Sequence, residues 1–201
     1  MKTALLITVS SEEIKRIRRS RYIKFQQCTM PYLASFFPAD WNVLHVDEEV
    51  ERIPYDRAFD VVGLTFHTPC CRHAYEIAAR FRERGVTVIM GGPHVTLCPD
   101  EAEAYADCVF VGEAENTLPV FFSDFESGTL KKRYESDEPV DMSKIPLLST
   151  EHFHRRDHTG GTLIATRGCP NNCEFCAIAC VYKHGFRARP PGEVAKDYAR
   201  L

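Results

Sequence analysis

An α/β fold, a doubly wound parallel sheet, is what the first 135 residues predict, on three observations. Five short apolar runs recur there, at 3–9, 42–47, 61–65, 87–90 and 108–111. Continuous apolar runs of that length suit strands covered on both faces, as strands of a parallel sheet are. Helical patterns lie between them, and parallel strands need such crossover connections. The strands run out into loops of small or polar residues, where ligands of these sheets sit.

The elements follow in order. Residues 3–9 (TALLITV) form the first strand, 42–47 the second and 61–65 (VVGLT) the third. Residues 72–84 set Ala74, Ile77, Ala78 and Phe81 on one helical face, with Gly85 as the stop. After the fourth strand at 87–90, Asp100 caps a short helix through 106. The fifth strand at 108–111 is followed by a helix at 115–125. Residues 136–160, with Asp137, Glu138, Pro139, Asp141 and Pro146, read as a linker between domains. Residues 161–201 then bring a fresh strand at 162–166 (TLIAT), a cysteine-rich loop, and a helix that opens near Pro190, Pro191 and Glu193.

Composition excludes some functions. With 201 residues, 44% of them hydrophobic, the chain can bury a good core. A formal net charge of -3 argues against a nucleic-acid footprint. The basic stretch 15–21 reads as a solvated helix face or loop. No apolar segment approaches the roughly 20 residues that span a bilayer, and no cleavable signal opens the chain. A cytoplasmic location is the expectation, with nine cysteines read as ligands and buried thiols, not disulfides.

Three strand-end loops are candidates for ligand binding: Thr65-Phe66-His67-Thr68-Pro69, Gly91-Gly92-Pro93-His94 and Gly112-Glu113-Ala114-Glu115. Paired glycines let a flat molecule or a nucleotide tail approach the backbone, although a double glycine after a strand is also ordinary turn chemistry. His67 and His94 are either donors to a ligand or partners of loop carbonyls. His152, His154 and His158 read as solvent-facing side chains of a polar linker, with a metal site as the other reading.

The sharpest signal is Cys169, Cys173 and Cys176, spaced C-x3-C-x2-C. One loop so spaced wraps three thiolates around a face of an iron–sulfur cube and leaves the fourth iron open to chemistry, whereas closed sites take four protein ligands. Cys180 lies four positions beyond Cys176. Counting it gives a second reading, a four-cysteine zinc site on a non-catalytic ligand-binding module.

The segment Thr166-Arg167-Gly168-Cys169-Pro170-Asn171-Asn172-Cys173-Glu174-Phe175-Cys176 resembles the cluster loop of radical S-adenosylmethionine (SAM) enzymes. The resemblance implies a 4Fe-4S cluster on Cys169, Cys173 and Cys176, SAM on the open iron, and Phe175 near its adenine. It also implies reductive cleavage of SAM, supported by a reductant such as flavodoxin or ferredoxin and directed at a small-molecule substrate. The chemistry would be that of the cofactor, positioned by the protein. The strand-end loops, with Val61-Val62-Gly63-Leu64-Thr65, are similar to the Rossmann-like cobalamin-binding domain that precedes the radical SAM barrel in one class of these enzymes.

That likeness implies cobalamin contacts from Thr65, His67, Thr68, Gly91, Gly92, Pro93, His94, Gly112 and Glu113. It implies methyl transfer, or radical rearrangement or cyclisation, as the outcome. Two departures stand out. The D-x-H-x-x-G signature that supplies a histidine to cobalt elsewhere is replaced after the first strand by Ser10-Ser11-Glu12-Glu13. Only 25 residues follow Cys176, too few for a (β/α) barrel, so the chain reads as the amino-terminal portion of a longer enzyme, inactive alone. No catalytic residue is assigned.

Overall fold

The computed structural model describes residues 1–18, 26–148, 150–153, 161–171, 173–183 and 185–201. Its strands are β1 (Lys2–Thr8), β2 (Trp41–Asp47), β3 (Val61–Thr65), β4 (Thr87–Gly91), β5 (Cys108–Val111), β6 (Arg133–Glu135), β7 (Thr166–Arg167) and β8 (Arg187–Ala188). The helices are α1 (Glu12–Arg18), α2 (Thr29–Ala34), α3 (Cys71–Arg82), α4 (Pro93–Leu97), α5 (Pro99–Glu103), α6 (Leu118–Ser127), α7 (Ile178–Val181) and α8 (Pro191–Arg200). Among the described residues no helix is long and apolar enough to cross a membrane. All nine cysteines are unpaired.

Six strands form one parallel sheet in the order β2-β1-β3-β4-β5-β6. Alternate side chains of a strand face opposite ways, and both faces are apolar here. Leu5, Ile7, Val62, Leu64, Val88 and Met90 pack against Ala74, Ile77, Ala78 and Phe81 of α3. On the other face Ala4, Val61, Ile89 and Phe110 meet Leu118, Phe121 and Phe122 of α6, while Leu6 meets Met30 and Ala34 of α2. The sheet is therefore doubly wound. The chain leaves β1 toward β2 on one side and returns to β3 on the other, which opens a crevice at the carboxyl ends of β1 and β3.

The structure departs from the sequence reading in several places. A sixth strand, β6, extends the sheet beside β5. With only three residues, one of them the buried Tyr134, it carries too little periodicity to be read. The helix at 115–125 begins only at Leu118, with a proline in its first turn. The short helix at 100–106 is α5, which starts at Pro99 and ends at Glu103. The strand at 162–166 shrinks to Thr166–Arg167, because its ladder partner among the described residues is the two-residue antiparallel β8.

His152 is also not solvent-facing. Its side chain is 12% exposed, and its carbonyl accepts from Gln26 Nε2 at 2.8 Å and from His45 Nδ1 at 3.0 Å. His154 and His158 lie outside the described residues, as do residues 19–21 of the basic stretch and Asn172 of the cysteine loop.

Candidate functional site

The site forms where β1, β3, β4 and β5 end, on the face covered by α2 and α6. In register, Leu6 lies beside Gly63 and Gly63 beside Ile89. The middle position of that row has no side chain, and Leu6 leans into the gap: a Cβ on Gly63 would stand 2.9 Å from its Cδ2. Next to Thr65 on β3 comes Gly91 on β4, and the chain then turns through Gly92 at φ 96°. A Cβ on Gly92 would lie 2.5 Å from Thr65 Oγ1. Gly92 is thus demanded by the turn itself. A Cβ on Gly91 would meet Phe110 Cβ at an ordinary 3.6 Å, and one on Gly112 would meet nothing within 4 Å. These two glycines leave space at the strand ends.

That space is a cavity of about 220 Å³. Thr65, His67, Gly91, Gly92, Pro93, Gly112 and Glu113 line it, together with Met30 and Leu33 of α2, and Arg167 and Tyr182 reach it from the carboxyl-terminal segment. Thr96 braces the mouth: its hydroxyl donates to Gly92 O and accepts from Gly112 N–H, each at 3.0 Å. The floor is apolar and the rim polar, as in small-molecule sites generally.

Thr68 and His94, also expected at the ligand, lie behind the cavity. His94 is buried; its Nδ1 is 3.1 Å from Thr68 Oγ1 and its Nε2 is 3.0 Å from the Tyr75 hydroxyl. Tyr75 donates to Glu101 Oε1 at 3.0 Å. Its single proton is spent there, so Nε2–H of His94 donates to Tyr75. Burial, reinforced by Glu101, raises the Tyr75 pKa well above the ordinary phenol range. Cys71, His94 and Glu101 bring three ligand-type atoms within 4.8 Å of one another. With both ring nitrogens already engaged by hydroxyls, this group serves as a hydrogen-bonded relay that pins the loops after β3 and β4.

The cysteine loop runs between Arg167 and the Val181–Tyr182 segment, and these three residues line the cavity. Cys173 is exposed and Cys169 and Cys176 half-buried, with Cys176 N–H donating to Cys173 O at 3.0 Å. Gly168, at φ 75°, enters the loop where a Cβ would stand 1.9 Å from Gly185 O, so only glycine fits. Phe175 is 93% exposed. Cys180 is exposed on α7. Three accessible soft thiols on one short loop are a donor set that suits an iron–sulfur cluster or zinc. The loop's first arginine, Arg167, donates from Nη1 to Glu113 Oε1 at 2.8 Å and from Nη2 to Glu115. Burial works against its charge, but Glu115 and Glu113 outweigh that and raise its pKa further.

Sequence reasoning named the motifs but missed some of the residues that join them. Arg167 and Glu115 were visible only as flanking charges of a cysteine and a glycine motif. Met30 and Leu33 come from the six-residue helix α2, too short to announce itself by periodicity.

Residues 28–122 match the family model of the B12 binding domain. The chain is 37% identical over 172 residues to bacteriochlorophyllide d C-8(2)-methyltransferase of Chlorobaculum tepidum, an alignment covering 79% of this chain and 37% of that protein. It is 24% identical over 178 residues to hopanoid C-2 methylase of Rhodopseudomonas palustris, covering 84% of this chain and 33% of the relative. The chain thus spans about a third of the length of these curated relatives. In fold it matches the radical S-adenosylmethionine methyltransferase TsrM of Kitasatospora setae, a structure with cobalamin and a [4Fe-4S] cluster bound. The TM-score is 0.69 at 14% identity, over 100% of this chain and 46% of that one. Residues 28–122 thus match a B12 binding domain, and they lie on a Rossmann-like sheet similar in fold to that methyltransferase structure.

Proposed function

We propose that this chain is the cofactor-binding amino-terminal part of a cobalamin-dependent radical SAM methyltransferase. On this reading residues 1–135 hold cobalamin, 136–160 connect, and 161–201 present the cluster loop. The observation that carries it is the shared lining of one cavity by the glycine-bearing strand ends and by Arg167, two residues before Cys169. Methyl transfer is favoured over rearrangement or cyclisation because the relatives at 37% and 24% identity are named as a methyltransferase and a methylase.

The residues present fit the two groups. The cavity of about 220 Å³, with its apolar floor and the bare backbone at Gly91 and Gly112, would admit the nucleotide tail of cobalamin. Cys169, Cys173 and Cys176 would hold the 4Fe-4S cluster, and the exposed face of Phe175 would receive the SAM adenine. Bound cobalamin supplies a transferable methyl group and the cluster with SAM supplies one-electron chemistry. The protein's part is to hold both over one pocket, to exclude water with Met30, Leu33 and Tyr182, and to receive electrons from a flavodoxin or ferredoxin in the cytoplasm.

Anaerobic reconstitution of this chain tests the proposal. About four irons per chain with broad absorption near 400 nm, and co-elution of hydroxocobalamin on gel filtration, are the expected results. One zinc per chain on all four of Cys169, Cys173, Cys176 and Cys180, with no retention of hydroxocobalamin, would overturn it.

A further inference from the structure

Four charged side chains between the cavity and the cysteine loop form one closed set. Arg167 and Arg187 face each other across the β7–β8 ladder. Arg167 reaches Glu113 at 2.8 Å and also Glu115, and Arg187 Nη2 lies 2.7 Å from the other Glu113 oxygen. Two positive charges meet two negative ones with every side chain 15% exposed or less. Arg187 is tied further to Val140 O at 3.1 Å through Nη1. Removing one member of such a set strands a buried charge, so its geometry is stiffly determined.

The two carboxylates belong to the loop after β5 that lines the cavity, and Arg167 ends β7, directly before the loop that carries the cysteines. We propose that Arg167, Arg187, Glu113 and Glu115 are positioning residues that lock the cysteine loop to the cavity rim, so that filling the cavity and loading the cysteines favour each other. This rests on the cofactor assignment above. A ligand pressing on the 112–115 loop moves the carboxylates, and the carboxylates hold Arg167 and with it Gly168 and Cys169. Coupling of this kind is reciprocal: whatever factor the cluster adds to cobalamin affinity, cobalamin adds to the cluster.

The test is an anaerobic absorbance titration of the whole chain with hydroxocobalamin, with and without reconstituted cluster. The electron paramagnetic resonance spectrum of the reduced cluster is recorded before and after cobalamin addition. In the unmodified chain the cluster tightens cobalamin binding about fivefold or more, and cobalamin shifts the spectrum. In Arg167→Met, whatever affinity each group keeps by itself, the factor falls to about one and the spectral shift disappears, whereas Arg167→Lys recovers part of each. A factor of one in the unmodified chain, or a factor that survives Arg167→Met, overturns the inference while leaving the cofactor assignment standing. Failure of the unmodified chain to bind either group overturns both. Should Arg167→Met lose its circular dichroism signal, Glu115→Gln, which keeps shape and removes one charge, decides in the same way.

Discussion

Arg189 and Asp197 form an ion pair at 2.6 Å between Nη1 and Oδ2 with both side chains wholly buried. The Tyr32 hydroxyl donates to the same carboxylate and accepts from Arg189 Nη1 at 2.9 Å, and Leu148 N–H donates to Oδ1 at 2.8 Å. The group ties α8 to α2, the helix whose Met30 and Leu33 line the cavity. Nε and Nη2 of Arg189 have no other hydrogen-bond partner. Asp197→Ala therefore leaves a buried guanidinium with no carboxylate to turn to. An expected loss of about 3–5 kcal/mol, read from the urea midpoint, checks this; a change below about 1 kcal/mol would contradict the reading, since that is the worth of a surface pair.

The same carboxylate sets an acid limit. Burial alone would raise the Asp197 pKa, but the bonds from Tyr32, Arg189 and the Leu148 amide outweigh it and hold the pKa below the ordinary range. A depressed folded pKa gives stability that is complete above the unfolded value of about 4 and lost as pH falls through the folded one. The urea midpoint should drop below about pH 4, and Asp197→Asn, less stable at neutral pH, should show a flatter acid limb.

His73 carries the opposite sign. Its Nε2 lies 3.0 Å from Glu48 Oε1, and that bond, against burial, raises its pKa. The stabilisation is full below the unfolded value of about 6.5 and fades as pH rises through the raised folded value. His73→Gln should remove this slope near neutrality and leave the acid limb unchanged.

Much of this fold was legible because a buried parallel sheet writes itself as apolar runs. Residues 61–65 and 108–111 coincide with β3 and β5, β2 and β4 each gain one residue at an end, and β1 is shifted by one residue at both ends. Elements that live on partners were not legible. Tyr134 belongs to β6 because it stacks on Phe110 at 5.2 Å and bonds to Asp124, and nothing within 133–135 announces that. At the site, glycine and cysteine motifs were readable as local spacing. The separation of His67 from His94 was not: both stand at strand ends, and only the Thr68–His94–Tyr75 chain turns His94 inward.

Gly91 and Gly92 should respond differently to substitution. Gly91→Val has ordinary room at the backbone and places its methyls at the cavity. It should fold, while overpacking of about 1–3 kcal/mol weakens cobalamin binding about tenfold or more. Gly92→Ala forces an L residue to φ 96° against Thr65 Oγ1, so its cost of about 1–3 kcal/mol falls on folding. Equal thermal melts for the two variants would refute the distinction.

The cysteines separate by role. Cys169, Cys173 and Cys176 lie on the one loop that Gly168 and Arg167 fix in place, whereas Cys180 sits on the four-residue helix α7. An open-iron cluster needs the first three alone. Replacing any one of those three by alanine should abolish stable iron incorporation, while Cys180→Ala should retain about four irons and the absorption near 400 nm. If Cys180→Ala empties the site as fully as Cys173→Ala does, four thiolates close the metal. The position proposed for SAM is then ruled out, and the chain becomes a zinc-bearing module built on the same sheet.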